Sequence, residues 1–265
     1  MKYLVGLLLW CQIMAAQGQP DPFPQAAHAY LVEVDGASIW EHRPNDRLPP
    51  ASLTKLMTAL LVLEQGQLQE AASVSPASTL ETGSHIMLKA GERFRVQDLL
   101  AATMIASSND ACHALADHMG GSEADFVARM NRRAKELGMR NTHFTNACGH
   151  DATQHYSSAH DLAQLAHELL KYPSLFEITS QKNLQIATLD GKKHYTLVNK
   201  NALIGRYDGA LGLKTGYTPN AGKCLVAFAK RNGHKVLLVM LHGKDRWWDA
   251  ADILDLAFDH ARAAP

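Results

Sequence analysis

Cysteine is scarce in this chain, with four among 265 residues and no two in a Cys-x-x-Cys pair. That spacing excludes a zinc ribbon and a thioredoxin-like redox site. Charge of one sign is lacking too. Lys plus Arg is 26 and Asp plus Glu is 26, so the formal net charge is zero. A nucleic-acid binder carries a basic patch or domain, and none is present to predict one. No apolar run is long enough to cross a bilayer. The longest near the start, Leu4 to Ala16, is interrupted only by Gln12. Internal repeats and low-complexity linkers are absent as well, which leaves no sign of a solenoid or a tethered array. What remains is ordinary globular composition: 46% hydrophobic and 20% charged residues. That excludes a disordered, collagen-like or coiled-coil chain. The length suits one large domain with its own core.

The Leu4–Ala16 run has the length of a signal-peptide apolar region, and Ala16-Gln17-Gly18 offers a small-x-small cleavage site. Trp10 stands before Cys11, where lipoprotein processing wants a small residue. The expectation is a leader over 1–18 and an exported mature domain over 19–265. That domain is expected to be soluble in the cell-wall space, the periplasm. It would keep Cys112, Cys148 and Cys224, enough for at most one disulfide and one free thiol. Buried, unreactive thiols are the expectation for them.

Ala29–Val34 alternates as a strand, Asp35-Gly36 turns, and Ser38–His42 returns. After Pro49-Pro50 an apolar helix is predicted over Leu53–Leu63. Residues 70–95 read as a turn-rich excursion with short strands. Val96–Met119 reads as helical, broken at Ser107-Ser108-Asn109. Ser122 and Ser158 each open a further helix, and Gly138 ends the first of these. Leu211–Lys214 is a candidate strand. Cys224–Lys230 and Lys235–Leu241 flank the hairpin signal Asn232-Gly233, and 247–262 closes the chain as a helix. Strands at both ends and helices between them predict an α/β (α+β) fold. It would be one antiparallel sheet built from both chain ends and covered by helices.

Three short motifs carry chemistry. In Ser52-Leu53-Thr54-Lys55 the serine and lysine share a helical face at a helix start. Serine is a weak nucleophile until a base takes its proton, and lysine is that base only when neutral. Burial or a second cation lowers its pKa enough. Ser107-Ser108-Asn109 is a polar break between apolar helices, which can bring Ser107 to the nucleophile and Asn109 to a substrate amide. In Lys214-Thr215-Gly216, Lys214 supplies the second cation and Thr215 a hydroxyl for a substrate carboxylate. Gly216 would allow close approach of a substrate backbone. The N–H groups of Ser52 and Tyr217 can form an oxyanion hole. Each motif alone is weak, but their order and their elements together are specific.

The combination resembles the penicillin-binding proteins and serine β-lactamases. Pro50–Ala59, Ser107–Ala111 and Leu213–Thr218 with Ala221-Gly222 look like the D-alanyl-D-alanine carboxypeptidases, over about residues 28–262. The resemblance implies a β-lactamase/transpeptidase-like fold and a penicillin-sensitive hydrolase. Its substrates would be peptidoglycan stem peptides ending in D-Ala-D-Ala, with β-lactams as covalent inhibitors. It also implies Ser52 as nucleophile, Lys55 as base and Ser107 in the proton relay. Asn109, Lys214, Thr215, Gly216 and Tyr217 would bind substrate. For the terminal carboxylate, Arg246 is the candidate and Lys244 the neighbour. No cofactor or metal is expected.

The sequence ends at Pro265, where the best-known carboxypeptidases continue into a β domain and an amphipathic anchor, so it resembles the shorter family members. Some of those are D,D-endopeptidases, which is the first alternative. Residues 245–265 hold five Asp and two Arg, the wrong sign for an anionic lipid surface. Within Asn146–Asp151, His150 replaces the apolar residue of many relatives, with no evident role. A class A β-lactamase needs a Glu to activate the deacylating water, and none occurs between Glu136 and Glu168. His167-Glu168-Leu169-Leu170-Lys171 lacks the second His of a zinc peptidase. His150, His155 and His160 do not share one helical turn, so surface or hydrogen-bonded histidines are expected. A non-catalytic wall-binding module would not need Ser52 and Lys55 together. Trp247-Trp248 is expected to anchor the closing helix.

Overall fold

A computed structural model describes residues 21–263. The expected leader over 1–18 lies outside the described residues. The chain opens with β1 (Ala27–Val34) and β2 (Ala37–His42). A 3-10 turn over Ala51–Thr54 then leads directly into α1 (Lys55–Gln65). The excursion forms a two-stranded ribbon of β3 (Ala71–Ser73) and β4 (Arg93–Arg95). Four helices follow: α2 (Val96–Ile105), α3 (Asn109–Gly120), α4 (Glu123–Glu136) and α5 (Ala159–Leu169). Next come α6 (Pro173–Thr179) and a second ribbon, β5 (Asn183–Ala187) with β6 (His194–Val198). The chain closes with β7 (Ala210–Thr218), β8 (Gly222–Arg231), β9 (His234–Gly243) and α7 (Arg246–Ala263).

The main sheet has the order β2-β1-β9-β8-β7, so strands from both chain ends meet at the β1–β9 pair. All its pairings are antiparallel. Period-two alternation sorts its side chains between two cores. Tyr30, Val32, Leu238 and Met240 pack against Ile253, Leu254 and Phe258 of α7. Leu31, Val239, Leu241 and Phe228 face the opposite core with α1, α2, α3 and α5. Ser122 and Ser158 cap α4 and α5, accepting from Asp125 N and Asp161 N. Asn232 and Gly233 turn the β8–β9 hairpin at positive φ, 51° and 87°.

The structure corrects three readings. The β5–β6 ribbon and α6 have no counterpart among the predicted elements. Asn183–Ala187 and His194–Val198 do alternate polar and apolar residues, but over only five positions each, and only Ile186 and Leu197 are fully buried. Cys112 and Cys148 are not free thiols but form a disulfide; among the described residues Cys224 is the free thiol, and it is buried. Burial pushes the Cys224 thiol up to about 11. Of the two tryptophans, Trp247 packs on the α7 core while Trp248 is 73% exposed and anchors nothing. Among the described residues, no helix is long and apolar enough to cross a membrane.

Candidate active site

Pro49-Pro50 ends the preceding segment, and Leu53 N donates to Pro50 O at 3.1 Å to close the 3-10 turn. Within Ala51–Lys55 every residue is buried except Ser52, which is partly exposed. Ser52 therefore stands at the helix start as the turn's accessible hydroxyl. Lys55 begins α1 and is completely buried.

Lys55 Nζ has three oxygen neighbours: Ser52 Oγ at 3.1 Å, Asn109 Oδ1 at 2.6 Å and Cys148 O at 2.5 Å. A neutral amine has two N–H bonds and one lone pair. Its two hydrogens fit Asn109 Oδ1 and Cys148 O, acceptors that offer no proton. The lone pair then faces the Ser52 hydroxyl. Burial holds the Lys55 ammonium down to about 7, opposed by the charges of Glu81 and Asp110. The environment thus makes the neutral form available near neutral pH.

The second polar cluster lies beside it. Ser107, at φ 57°, ends the α2–α3 turn, and Lys214 Nζ donates to its Oγ at 2.9 Å. Lys214 also donates to Thr215 O at 2.9 Å and is buried in β7. Burial comes first in holding the Lys214 ammonium far below its usual value, and the Lys55, Arg246 and Lys200 charges add to it. Two buried ammonium groups in one centre cost more than one, so the pair resists full protonation. Ser107 is linked to Lys214, and Asn109 to Lys55.

Gly216 provides the close approach predicted there, but its neighbour is the protein itself. A Cβ at Gly216 would lie 2.9 Å from Pro50 O and 3.2 Å from Ser52 N. The absent side chain lets β7 seat against the Ser52 turn. Tyr217, 63% exposed, stands on the rim. Arg246 at the start of α7 donates to Gly216 O at 2.7 Å and Cys224 O at 3.0 Å. Its Nε is buried without a partner. Lys244 points elsewhere, its Nζ reaching Gln25 Oε1 at 3.2 Å. The structure thus brings Ser52, Lys55, Ser107, Asn109, Lys214, Thr215 and Gly216 together, with Arg246 behind β7.

Three contributors were not legible as such. Gly149 has φ 93°, and a Cβ there would overlap the Ala51 carbonyl. His155 is buried with its ring held down to about 4 by desolvation. Thr145 N donates to its Nδ1 at 3.0 Å, so Nε2 carries the hydrogen. Nε2 lies 2.7 Å from Thr54 Oγ1, which donates to Ala51 O at 2.8 Å. His150 finds its partner in Glu81, at 2.5 Å, and His113 takes the other Glu81 oxygen at 2.6 Å. The hydrogen bonds and charges of these two histidines outweigh burial and hold Glu81 down at about 2. Glu81 thereby ties the 145–151 loop to α3 beside the site.

A serine hydroxyl beside a buried amine, flanked by a second serine on the α2–α3 turn that is bonded to a lysine of the edge strand, has the make-up of a serine acyl-transfer centre. The D-alanyl-D-alanine carboxypeptidase family model matches residues 15–245. The chain is 40% identical over 250 residues to D-alanyl-D-alanine carboxypeptidase DacF of Bacillus subtilis (strain 168), covering 91% of this chain. It spans 64% of that relative's length. A solved D-alanyl-D-alanine carboxypeptidase from Mycobacterium tuberculosis H37Rv superposes with a TM-score of 0.85 at 31% identity, covering 92% of this chain and 95% of its own. Penicillin-binding protein D2 of Listeria monocytogenes in its ampicillin-bound form gives 0.77 at 31% identity, covering 88% and 98%. This chain belongs to the D-alanyl-D-alanine carboxypeptidase family of serine peptidases.

Proposed function

We propose that this chain is an exported serine D-Ala-D-Ala carboxypeptidase that trims peptidoglycan stem pentapeptides. The carrying observation is the three-way coordination of Lys55, which leaves one lone pair for the Ser52 hydroxyl. In this reading the stem peptide lies along the free edge of β7, an edge strand with backbone groups open to pairing. Ser52 Oγ attacks the carbonyl of the penultimate D-Ala while its proton passes to Lys55. The N–H groups of Ser52 and Tyr217 receive the developing oxyanion.

The terminal D-Ala leaves as its amine, taking a proton relayed through Ser107 and Lys214. The peptide remains as an ester on Ser52. Water then attacks that ester, releasing the shortened peptide acid and restoring the serine. Thr215 and the cation of Arg246 behind it attract the terminal carboxylate, and the outer face of Asn109 meets the substrate amide. A β-lactam enters the same acylation and remains bound, because the deacylating Glu of a class A β-lactamase is missing between Glu136 and Glu168. The leader over 1–18 delivers the domain to the periplasm.

The test incubates the chain with a muropeptide mixture containing pentapeptide monomers and cross-linked dimers. Pentapeptides losing one D-Ala, with dimers intact, is the expected result. Dimers resolving to monomers would make it a D,D-endopeptidase instead. Ser52→Ala should lose labelling by fluorescent penicillin. Lys55→Arg should lose it by roughly a thousandfold, because arginine stays protonated. No labelling of the wild-type chain would return the non-catalytic wall-binding reading.

A further inference from the structure

The Cys112–Cys148 disulfide joins two segments that meet at Lys55. Asn109, the first residue of α3, supplies one oxygen to Lys55 Nζ, and Cys112 lies one turn further along the same helix. Cys148 supplies the other oxygen through its own carbonyl. Next to it, Gly149 packs against the backbone of Ala51 and Ser52. Both half-cystines are fully buried. Asn146 Oδ1 accepts from the N–H groups of Cys148, Gly149 and His150 at 3.3, 2.7 and 3.0 Å. Those bonds shape the loop internally. Thr58 Oγ1 and Glu123 Oε1 hold Ala147 O and N, against α1 and α4. The cystine is the covalent tie between the loop and α3.

We propose that the Cys112–Cys148 cystine is a positioning element of the reaction centre: it fixes, relative to each other, the two oxygens that aim the Lys55 lone pair at Ser52. This rests on the acyl-enzyme reading above. Without the link, the 145–151 loop can separate from α3, and Cys148 O no longer shares a fixed geometry with Asn109 Oδ1. Water then reaches an ammonium that burial now excludes from it. Glu81, Asp110 and Lys214 are the charged groups around Lys55, and Glu81 is itself tied to the loop through His150. Freeing the loop therefore favours protonation of Lys55 and removes the base from neutral pH.

The experiment measures the second-order rate of fluorescent-penicillin acylation from pH 5 to 9. It compares the chain as isolated, the chain reduced with excess dithiothreitol in mild denaturant and returned to buffer, and the reduced chain reoxidised. Reduction moves two electrons and two protons from the dithiol to the cystine, giving two thiols and the cyclic disulfide of the reagent. A thiol count raised by two verifies it. The double variant Cys112→Ser/Cys148→Ser gives the same comparison without reductant, and Tm is recorded for every form.

We expect the acid limb of the profile to move up by about one pH unit and the rate at pH 7 to fall about tenfold. Reoxidation should restore both. A lowered Tm with an unmoved acid limb and an unchanged rate would make the cystine a purely structural staple and overturn the proposal. If the double variant does not fold, the reduced wild-type chain decides between these outcomes. No acylation by the oxidised chain at any pH overturns the acyl-enzyme reading instead.

Discussion

A glycine decides how closely the Ser52 turn is held. Gly149 sits at φ 93°, where a β-carbon is disfavoured, and its missing side chain faces the carbonyl of Ala51. Backbone cannot move aside as a flexible side chain can. Gly149→Ala should therefore cost at least about 2 kcal/mol of stability, through the left-handed conformation and the backbone overlap together. It should also slow penicillin acylation, since the Ala51–Ser52 backbone must shift. Denaturant unfolding and labelling kinetics check both, and a variant with wild-type values in each would remove Gly149 from the site's support. Ser52, Lys55, Ser107, Asn109 and Lys214 were legible at this scale because their three short motifs follow one another in a specific order, at a helix start, a helix break and a strand. Gly149 was not, since a lone glycine in a polar loop reads as a turn. The contact of Cys148 with Lys55 was illegible for a different reason: it runs through a backbone carbonyl, which every residue carries whatever its side chain.

At the scale of elements, the 3-10 turn before α1 depends on a residue a hundred positions away. His155 reaches Thr54 from the loop before α5 and, through it, Ala51 O. Removing the ring takes from buried Thr54 the donor its hydroxyl accepts, and from the part-buried N–H of Thr145 its acceptor. His155→Ala should cost about 2–4 kcal/mol by thermal or denaturant unfolding. The pH dependence has a definite sign. The native ring is held down to about 4, against about 6.5 when unfolded. Between these values the unfolded chain binds a proton that the native chain does not, so stability falls as pH drops through that window. Glu81, held down at about 2, adds a loss of the same sign below the ordinary glutamate range. Unfolding measured from pH 7 to 4 should lose part of its slope above pH 4.5 in His155→Ala. An identical slope in both proteins would show the ring to be protonated or exposed in the native state. Helices and hairpins with chemical punctuation were readable here: Ser122, Ser158 and Asn232-Gly233 each ended up doing the local job their chemistry suggests. The β5–β6 ribbon was missed although its strands alternate polar and apolar residues, because each is only five residues long and they pair with each other rather than with the main sheet.

For the whole molecule, the sheet gathers chain segments that sequence keeps far apart. β1 and β9 pair at its centre, β7 is carried to one edge, and that edge meets the turn leading into α1. The consequence is an electrostatic burden in an otherwise neutral protein. Lys55 and Lys214 are both fully buried, and burial lowers both ammonium pKa values. An unfolded lysine stays protonated to about pH 10.4. Above the folded value the unfolded chain therefore holds a proton that the native chain lacks, and stability rises with pH. For Lys55 alone the window opens near pH 7. The slope can reach about 1.4 kcal/mol per pH unit per lysine. Cys224 acts in the opposite direction once pH passes the ordinary thiol range, since its thiol is held up at about 11. His113 and His167, raised by their partners Glu81 and Glu33, also oppose the rise just above the ordinary histidine range. Over pH 7 to 9 the lysine is therefore isolated by comparison with a variant that lacks it. Thermal unfolding across that interval should show rising stability in the wild-type chain and a shallower rise in Lys55→Met. The methionine keeps the apolar stem and removes the amine, so the same variant should take up no penicillin. A wild-type chain whose rise matched that of Lys55→Met would have to keep Lys55 charged when folded. The amine would then have no lone pair to offer Ser52, and the proton acceptor would have to be sought at Lys214 through Ser107.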